Sequence, residues 1–149
     1  LKEGMFAACH RLRTYWRQTP RTRLKPDGTP VSEADEAANA LLVALLSELA
    51  PEIPIVSEEQ PLPEAGWSAP IFWLLDPLDG TRAFLRGDRE FVISLGLVVR
   101  GSAHFGMIAA PVWDDAPRIA WGRVGEGAFQ QWENETPRPL RVRTLTPER

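Results

Sequence analysis

Residues 32–59 read SEADEAANALLVALLSELAPEIPIVSEE, and the repeat of their apolar positions changes partway along. From Ala34 through Ala37, Ala38, Leu41, Leu42, Leu45, Leu46 and Leu49 the spacing is that of one helix face, held over four turns. Ser32 is an N-cap with Asp35 three positions on, and Pro51 stops the helix. After Pro51 the runs shorten and become β-branched and aromatic, with strands expected at Ile53–Ser57, Ile71–Asp76, Phe91–Val99 and Ala103–Ala110.

On the N-terminal side, Met5, Ala8, Cys9, Leu12, Tyr15 and Trp16 share one helical face, which predicts a first helix over Leu1–Gln18 closed by Thr19-Pro20. Arg21 to Pro30, with Pro26, Gly28 and Pro30, reads as a loop. On the C-terminal side Arg100-Gly101-Ser102 suits a tight hairpin turn, and shorter strands are expected at Arg118–Trp121, Ala128–Trp132 and Leu140–Arg143. Two helices followed by mostly antiparallel strands give an α+β fold with a helix layer on a sheet.

A length of 149 residues, 44% hydrophobic and 25% charged, fits one globular domain. Even the apolar stretch Ala34–Ala50 is interrupted by Glu36, Asn39, Ser47 and Glu48, so no membrane span is expected. A single cysteine, Cys9, allows no internal disulfide and no cysteine-based zinc site, which suits a cytoplasmic location. Residues 1–25 carry seven basic side chains against Glu3, a net +6 that leaves −9 for the remainder. No aromatic or glycine pattern of a nucleic-acid module accompanies those arginines, so they read as a solvated helix face rather than a site for a nucleic acid polymer. The acidic remainder suits a protein that gathers carboxylates around divalent cations.

The acidic residues stand where strands stop. Ile53–Ser57 runs into Glu58-Glu59, and Ile71–Leu75 runs into Asp76-Pro77-Leu78-Asp79-Gly80-Thr81. If the two strands are parallel neighbours, Glu58, Asp76 and Asp79 share one sheet edge, where three carboxylates must protonate or share cations. Such hard oxygen donors suit magnesium; Pro77 turns the chain so that Asp76 and Asp79 face one point and the Leu78 carbonyl can add an oxygen. Gly80 and Thr81 precede a short helical segment, Arg82–Leu85, whose first N–H groups could cradle a phosphate. A threonine hydroxyl held by a nearby carboxylate can orient and deprotonate a water. Asp-Pro-x-Asp-Gly is also ordinary turn chemistry, but the full string after a strand, paired with Ser-Glu-Glu, is far rarer.

These motifs resemble those of the lithium-sensitive, magnesium-dependent phosphomonoesterases, the family of inositol monophosphatases, fructose-1,6-bisphosphatases and bisphosphate nucleotidases. The resemblance rests on Asp76 to Thr81, Glu58-Glu59 and the Ser32 to Asp35 helix start, and covers nearly the whole chain. Lys25 to Asp35, Val56 to Glu59 and Asp76 to Phe84 are most similar to the bacterial bisphosphate nucleotidases of sulfate assimilation. The resemblance implies that Glu58, Asp76 and the Leu78 carbonyl hold a first magnesium, Asp76 and Asp79 a second. It further implies that Asp35 and Thr81 activate the attacking water, Glu58 contributes to catalysis through its metal, and the Gly80 and Thr81 backbone holds phosphate. The implied reaction is hydrolysis of 3'(2')-phosphoadenosine 5'-phosphate to AMP and phosphate; the alternatives are an inositol or sugar phosphate substrate, or a non-catalytic cation- and phosphate-binding domain.

Two departures bear on this. Arg82-Ala83 stands where the nucleotidases usually have Lys-Glu, and a further metal-binding aspartate expected in a C-terminal domain is absent. The expectation is therefore an N-terminal metal- and phosphate-binding domain over 1–149, with an apolar face left open for a missing C-terminal domain or partner chain.

Other features read as structural. The glycines at 101–106 and 122–127 lie in turns, His10 and His104 are packed or surface histidines, and Asp114-Asp115 is a hairpin loop. The tryptophans fall mostly in core-like runs, with Trp67, in the proline-rich 60–70 loop, available to cover a ligand.

Overall fold

The structure is a computed structural model and describes residues 1–142 other than 27, 29 and 65. Three helices, α1 (Lys2–Tyr15), α2 (Glu33–Leu49) and α3 (Thr81–Arg86), accompany a two-stranded ribbon, β1 (Thr22–Leu24) and β2 (Pro30–Ser32). The main sheet comprises β3 (Ile55–Ser57), β4 (Ile71–Asp79), β5 (Val92–Val99), β6 (Ser102–Trp113), β7 (Ala116–Arg123), β8 (Gly127–Trp132) and β9 (Arg138–Leu140). Its strands lie in sequence order; β3 and β4 are parallel and every other pair is antiparallel. The α+β expectation holds.

The helix layer covers one face. Met5, Ala8, Cys9 and Leu12 of α1 and Ala34, Ala38, Leu42 and Leu46 of α2 pack on Trp73, Leu75, Ile93, Leu95, Met107, Ala109 and Ile119, all buried. Burial of this apolar surface is the main force holding helices to sheet. Among the described residues no α-helix covers the opposite face. Leu74, Gly96, Gly106, Gly122, Ala128 and Leu140 lie in one cross-strand register row. They line a groove of about 800 Å³ beside Ile108, which is 51% exposed.

Several boundaries differ from the sequence reading for reasons of packing. The first helix ends at Tyr15, because Trp16 turns extended to pack on Phe91 and to donate its Nε1–H to the Asp88 carbonyl at 3.0 Å. The 21–30 segment contains a hairpin, with Thr22–Leu24 paired to Pro30–Ser32. The last strand is Arg138–Leu140, and position 143 of the expected strand lies outside the described residues. The turns agree better: Arg100 and Gly101 both have positive φ, as do Asp114 and Asp115, the geometry that joins twisted strands in two-residue hairpins.

Beyond its expected end at Asp76, β4 continues to Asp79. Asp76 faces Ser94 and Asp79 faces Val92, so β4 carries one extra residue around Pro77. Proline lacks the N–H a regular ladder needs, and the bulge accommodates it.

Candidate active site

The site is built on three chain segments at one sheet edge. Ser32 begins α2 with a capping box: its hydroxyl accepts from the Ala34 N–H at 3.2 Å, and the Asp35 Oδ2 accepts from the Ser32 N–H at 2.7 Å. The Ser32 hydroxyl donates to the same Oδ2 at 2.5 Å. Asp35, a buried carboxylate, therefore has its outer oxygen occupied by the helix start, and its other oxygen, Oδ1, accepts from Thr81 Oγ1 at 3.0 Å. The Leu78 carbonyl lies 3.1 Å from the same Thr81 hydroxyl, so one proton has two acceptors.

Parallel pairing of β3 with β4 brings Glu58 beside Asp76, as the sequence reading required. The Glu58 N–H donates to the Leu75 carbonyl at 3.0 Å, which pins the start of the acidic turn to β4. Within the bulge Asp76 Oδ1 accepts from the Leu78 N–H at 3.0 Å, a local turn that aims the carboxylate along the edge. Burial, then the charge and hydrogen bond of Glu58, and more weakly Asp79, push the Asp76 carboxyl up to about 7. Asp79 is exposed at the strand end, and Gly80 follows with φ +95°.

The glycine is required by space as well as by φ. A Cβ at position 80 would lie 2.6 Å from the Glu90 carbonyl oxygen and 3.1 Å from the Phe91 Cα. Thr81 then opens α3, whose first-turn N–H groups have no partner within the helix. Gly80 and Thr81 are thus where the sequence reading put a phosphate cradle, at the foot of the acidic edge.

Lys25 was read only as part of a basic stretch and of the family resemblance. Its Nζ donates to Glu58 Oε1 at 2.9 Å and to Glu59 Oε1 at 2.8 Å. Burial acts to lower the Lys25 pKa, but hydrogen bonds and charge from Glu59 and Glu58 outweigh it and hold it above its usual value. Burial pushes Glu59 up against the downward pull of Lys25. Among the described residues no three histidine, cysteine or carboxylate side chains stand close enough to hold a metal as they are placed. Glu58 is turned to the ammonium, so Glu58, Asp76 and Asp79 share an edge without forming a closed trio.

The donor set nevertheless fits a hard divalent cation. It consists of carboxylate and carbonyl oxygens, its central carboxyl is pushed up by burial and then by the negative charge of Glu58, which a cation would relieve, and a lysine already supplies positive charge to its rim. Trp67 stands 61% exposed, edge-on to Phe72 at 5.5 Å, and lines the open-face groove that reaches Glu58 and Asp76. The two histidines lie elsewhere; exposed His10 meets both Glu133 carboxylate oxygens at 2.8 Å.

The chain is 38% identical over 128 residues to the 3'(2'),5'-bisphosphate nucleotidase CysQ of Aggregatibacter actinomycetemcomitans, covering 83% of this chain and 46% of that protein. It is 40% identical over 104 residues to the Shigella flexneri protein of the same name, covering 67% of this chain and 41% of that one. The chain thus spans less than half the length of these curated relatives. The extragenic suppressor protein suhB from Bartonella henselae superposes with a TM-score of 0.78 at 28% identity, covering 97% of this chain and 52% of that chain. With residues 4–147 matching the family's sequence pattern, and the capped Asp35, the Asp76–Thr81 bulge and the helix-on-sheet fold in place, this chain belongs to the inositol monophosphatase family.

Proposed function

We propose that this chain carries the cation- and phosphate-binding part of a magnesium-dependent phosphomonoesterase that converts 3'(2')-phosphoadenosine 5'-phosphate to AMP and phosphate in the cytoplasm. The observation that carries the reading is the Thr81–Asp35 hydrogen bond beside the Glu58–Asp76 carboxyl pair. The curated relatives' names as bisphosphate nucleotidases support the substrate.

Glu58, Asp76 and the Leu78 carbonyl would hold one magnesium, and Asp76 with Asp79 a second. When bound, the cations supply positive charge for the phosphate oxygens and acidify water. Asp35 accepts the Thr81 proton and leaves a hydroxyl lone pair to take a proton from the attacking water. The Leu78 carbonyl would be one of the oxygens holding a cation, which would leave Asp35 Oδ1 as the acceptor of the Thr81 proton. The Gly80 and Thr81 N–H groups orient the phosphate for in-line attack, in which the new P–O bond forms as the ester P–O bond breaks. Glu58 and Lys25 must part for the first cation to be held.

The apolar groove of the open face would pack against the further domain that the relatives' greater length accommodates, and that domain would complete the wall opposite Asp79. Arg82-Ala83 departs from the Lys-Glu of the nucleotidases, which weakens the assignment to phosphoadenosine phosphate, and the likeness to solved inositol monophosphatases favours an inositol or sugar phosphate as the second reading.

The test is phosphate release from phosphoadenosine phosphate, inositol phosphate and fructose bisphosphate, with and without magnesium, by the 149-residue chain and by a form of the relatives' length. The longer form is expected to prefer phosphoadenosine phosphate, with little turnover by the shorter. Preference for inositol phosphate supports the second reading, and magnesium binding without release by either form leaves a binding module.

A further inference from the structure

The interior face of α2 presents two polar side chains one turn apart, Asp35 and Asn39, above an otherwise apolar stripe. Asp35 reaches Thr81. Asn39, 7% exposed, accepts a hydrogen bond from Ser57 Oγ at 2.7 Å, and Ser57 is equally buried at the end of β3. An asparagine placed among Ala38, Leu42 and Leu46 costs desolvation unless its polar atoms are paired, and Ser57 pairs its Oδ1.

The serine does more than pair that oxygen. Its oxygen also accepts from the Glu59 N–H at 3.3 Å, while its carbonyl accepts from the Gln60 N–H at 3.3 Å. With the Ser57 proton committed to Asn39, the hydroxyl lone pairs are turned to the Glu59 amide. The acidic turn is thereby tied to α2 on one side and, through the Glu58 N–H and Leu75 carbonyl, to β4 on the other. Helix α2 therefore holds both halves of the site: Thr81 through Asp35 and the Glu58–Glu59 turn through Asn39.

We propose that Asn39 is a positioning residue, acting through Ser57 to set the Glu58–Glu59 turn so that the Glu58 carboxylate stands beside Asp76. This inference rests on Glu58 being a cation ligand, and it adds two side chains that hold a ligand without touching the cation. Loss of such outer partners costs about ten- to a hundredfold in metal affinity in known sites.

The decisive comparison is Ser57→Thr against Ser57→Val, which share a shape and differ in the hydroxyl. In the magnesium-free chain, the Glu59 amide should exchange with solvent at least about tenfold faster in Ser57→Val than in Ser57→Thr, since only the former loses its acceptor. Magnesium affinity by calorimetry should stay close to wild type in Ser57→Thr and fall about tenfold in Ser57→Val. Asn39→Leu should match Ser57→Val, and the double variant should be no weaker than either single one, because both remove one link. Equal exchange and equal affinity in the Thr and Val variants would overturn the proposal, as would additive losses in the double variant. Should Asn39→Leu not fold, Asn39→Ala takes its place, since the Ser57 pair alone reports the bond to Glu59 and not the bond to Asn39. A wild-type chain that binds no magnesium would refute the cation reading, and amide exchange would still decide the strut: a Glu59 rate raised in both Ser57→Val and Asn39→Leu upholds it, and an unchanged rate in Asn39→Leu overturns it.

Discussion

Thr81 Oγ1 and Asp35 Oδ1 stand 3.0 Å apart although 46 residues separate them in the chain, and the bond links the start of α3 to the first turn of α2. The capping box makes the link rigid. Asp35 is held by the Ser32 amide and hydroxyl, so its remaining oxygen is aimed by the helix start rather than by solvent. A residue pattern that looks like helix capping alone thus also orients the threonine that opens α3.

Thr81→Ala is expected to cut turnover by roughly two to four orders of magnitude in a form that hydrolyses substrate, the usual scale of acid–base assistance. Thr81→Ser, which keeps the hydroxyl, should stay within about tenfold of wild type. Magnesium affinity should barely change in either. The alanine variant also leaves a buried carboxylate short of one donor, with an expected stability loss of about 1–3 kcal/mol by urea denaturation. Turnover within tenfold of wild type in Thr81→Ala would reduce the residue to a turn former.

Gly80→Ala should fail structurally before it fails catalytically. The left-handed φ of +95° and the 2.6 Å approach of a Cβ to the Glu90 carbonyl oppose backbone to backbone, which leaves no flexible side chain to yield. A loss of at least about 2 kcal/mol in a denaturant titration is expected. An unperturbed midpoint would mean that residues 90 and 91 can shift away.

Cys9 should be inert in the native chain. Burial in the α1 core pushes its thiol up to about 12, with Glu133 adding to the shift and Arg13 opposing it. The native protein therefore keeps the proton where the unfolded chain releases it. Its contribution to stability is complete below about pH 9 and declines as pH rises toward 12, by at most about 1.4 kcal/mol per unit. Labelling by a thiol reagent at pH 8 should be negligible until denaturant is added; rapid labelling of the folded protein would contradict the packing of α1.

Local chemistry carried much of this architecture in the sequence. The Ser32–Asp35 cap, the apolar face of α2 and the Asp76–Thr81 string are short-range patterns, and the parallel pairing of β3 with β4 followed from asking where the carboxylates would meet. What escaped was set by tertiary contact. Exposed strands such as Thr22–Leu24 bury no face and leave no alternation to read. The early end of α1 depends on Trp16 finding Phe91 and Asp88, more than 70 residues away. Lys25 reaches Glu58 and Glu59 from an irregular segment, and Asn39 looks like an interruption of an apolar run until Ser57 is placed beside it.

The proposed magnesium site lies among the carboxylates at the edge of β3 and β4 and depends most on Asp76. Asp76→Asn keeps the side-chain shape and removes an ionisable group that burial, and then the charge and hydrogen bond of Glu58, push up to about 7. The metal-free variant should accordingly melt no lower than wild type. Titration of magnesium into the folded wild-type chain and into folded Asp76→Asn, followed by calorimetry, measures this directly. Weak but saturable binding to wild type and none detectable in the variant are expected; equal binding to both would contradict a magnesium site organised by Asp76.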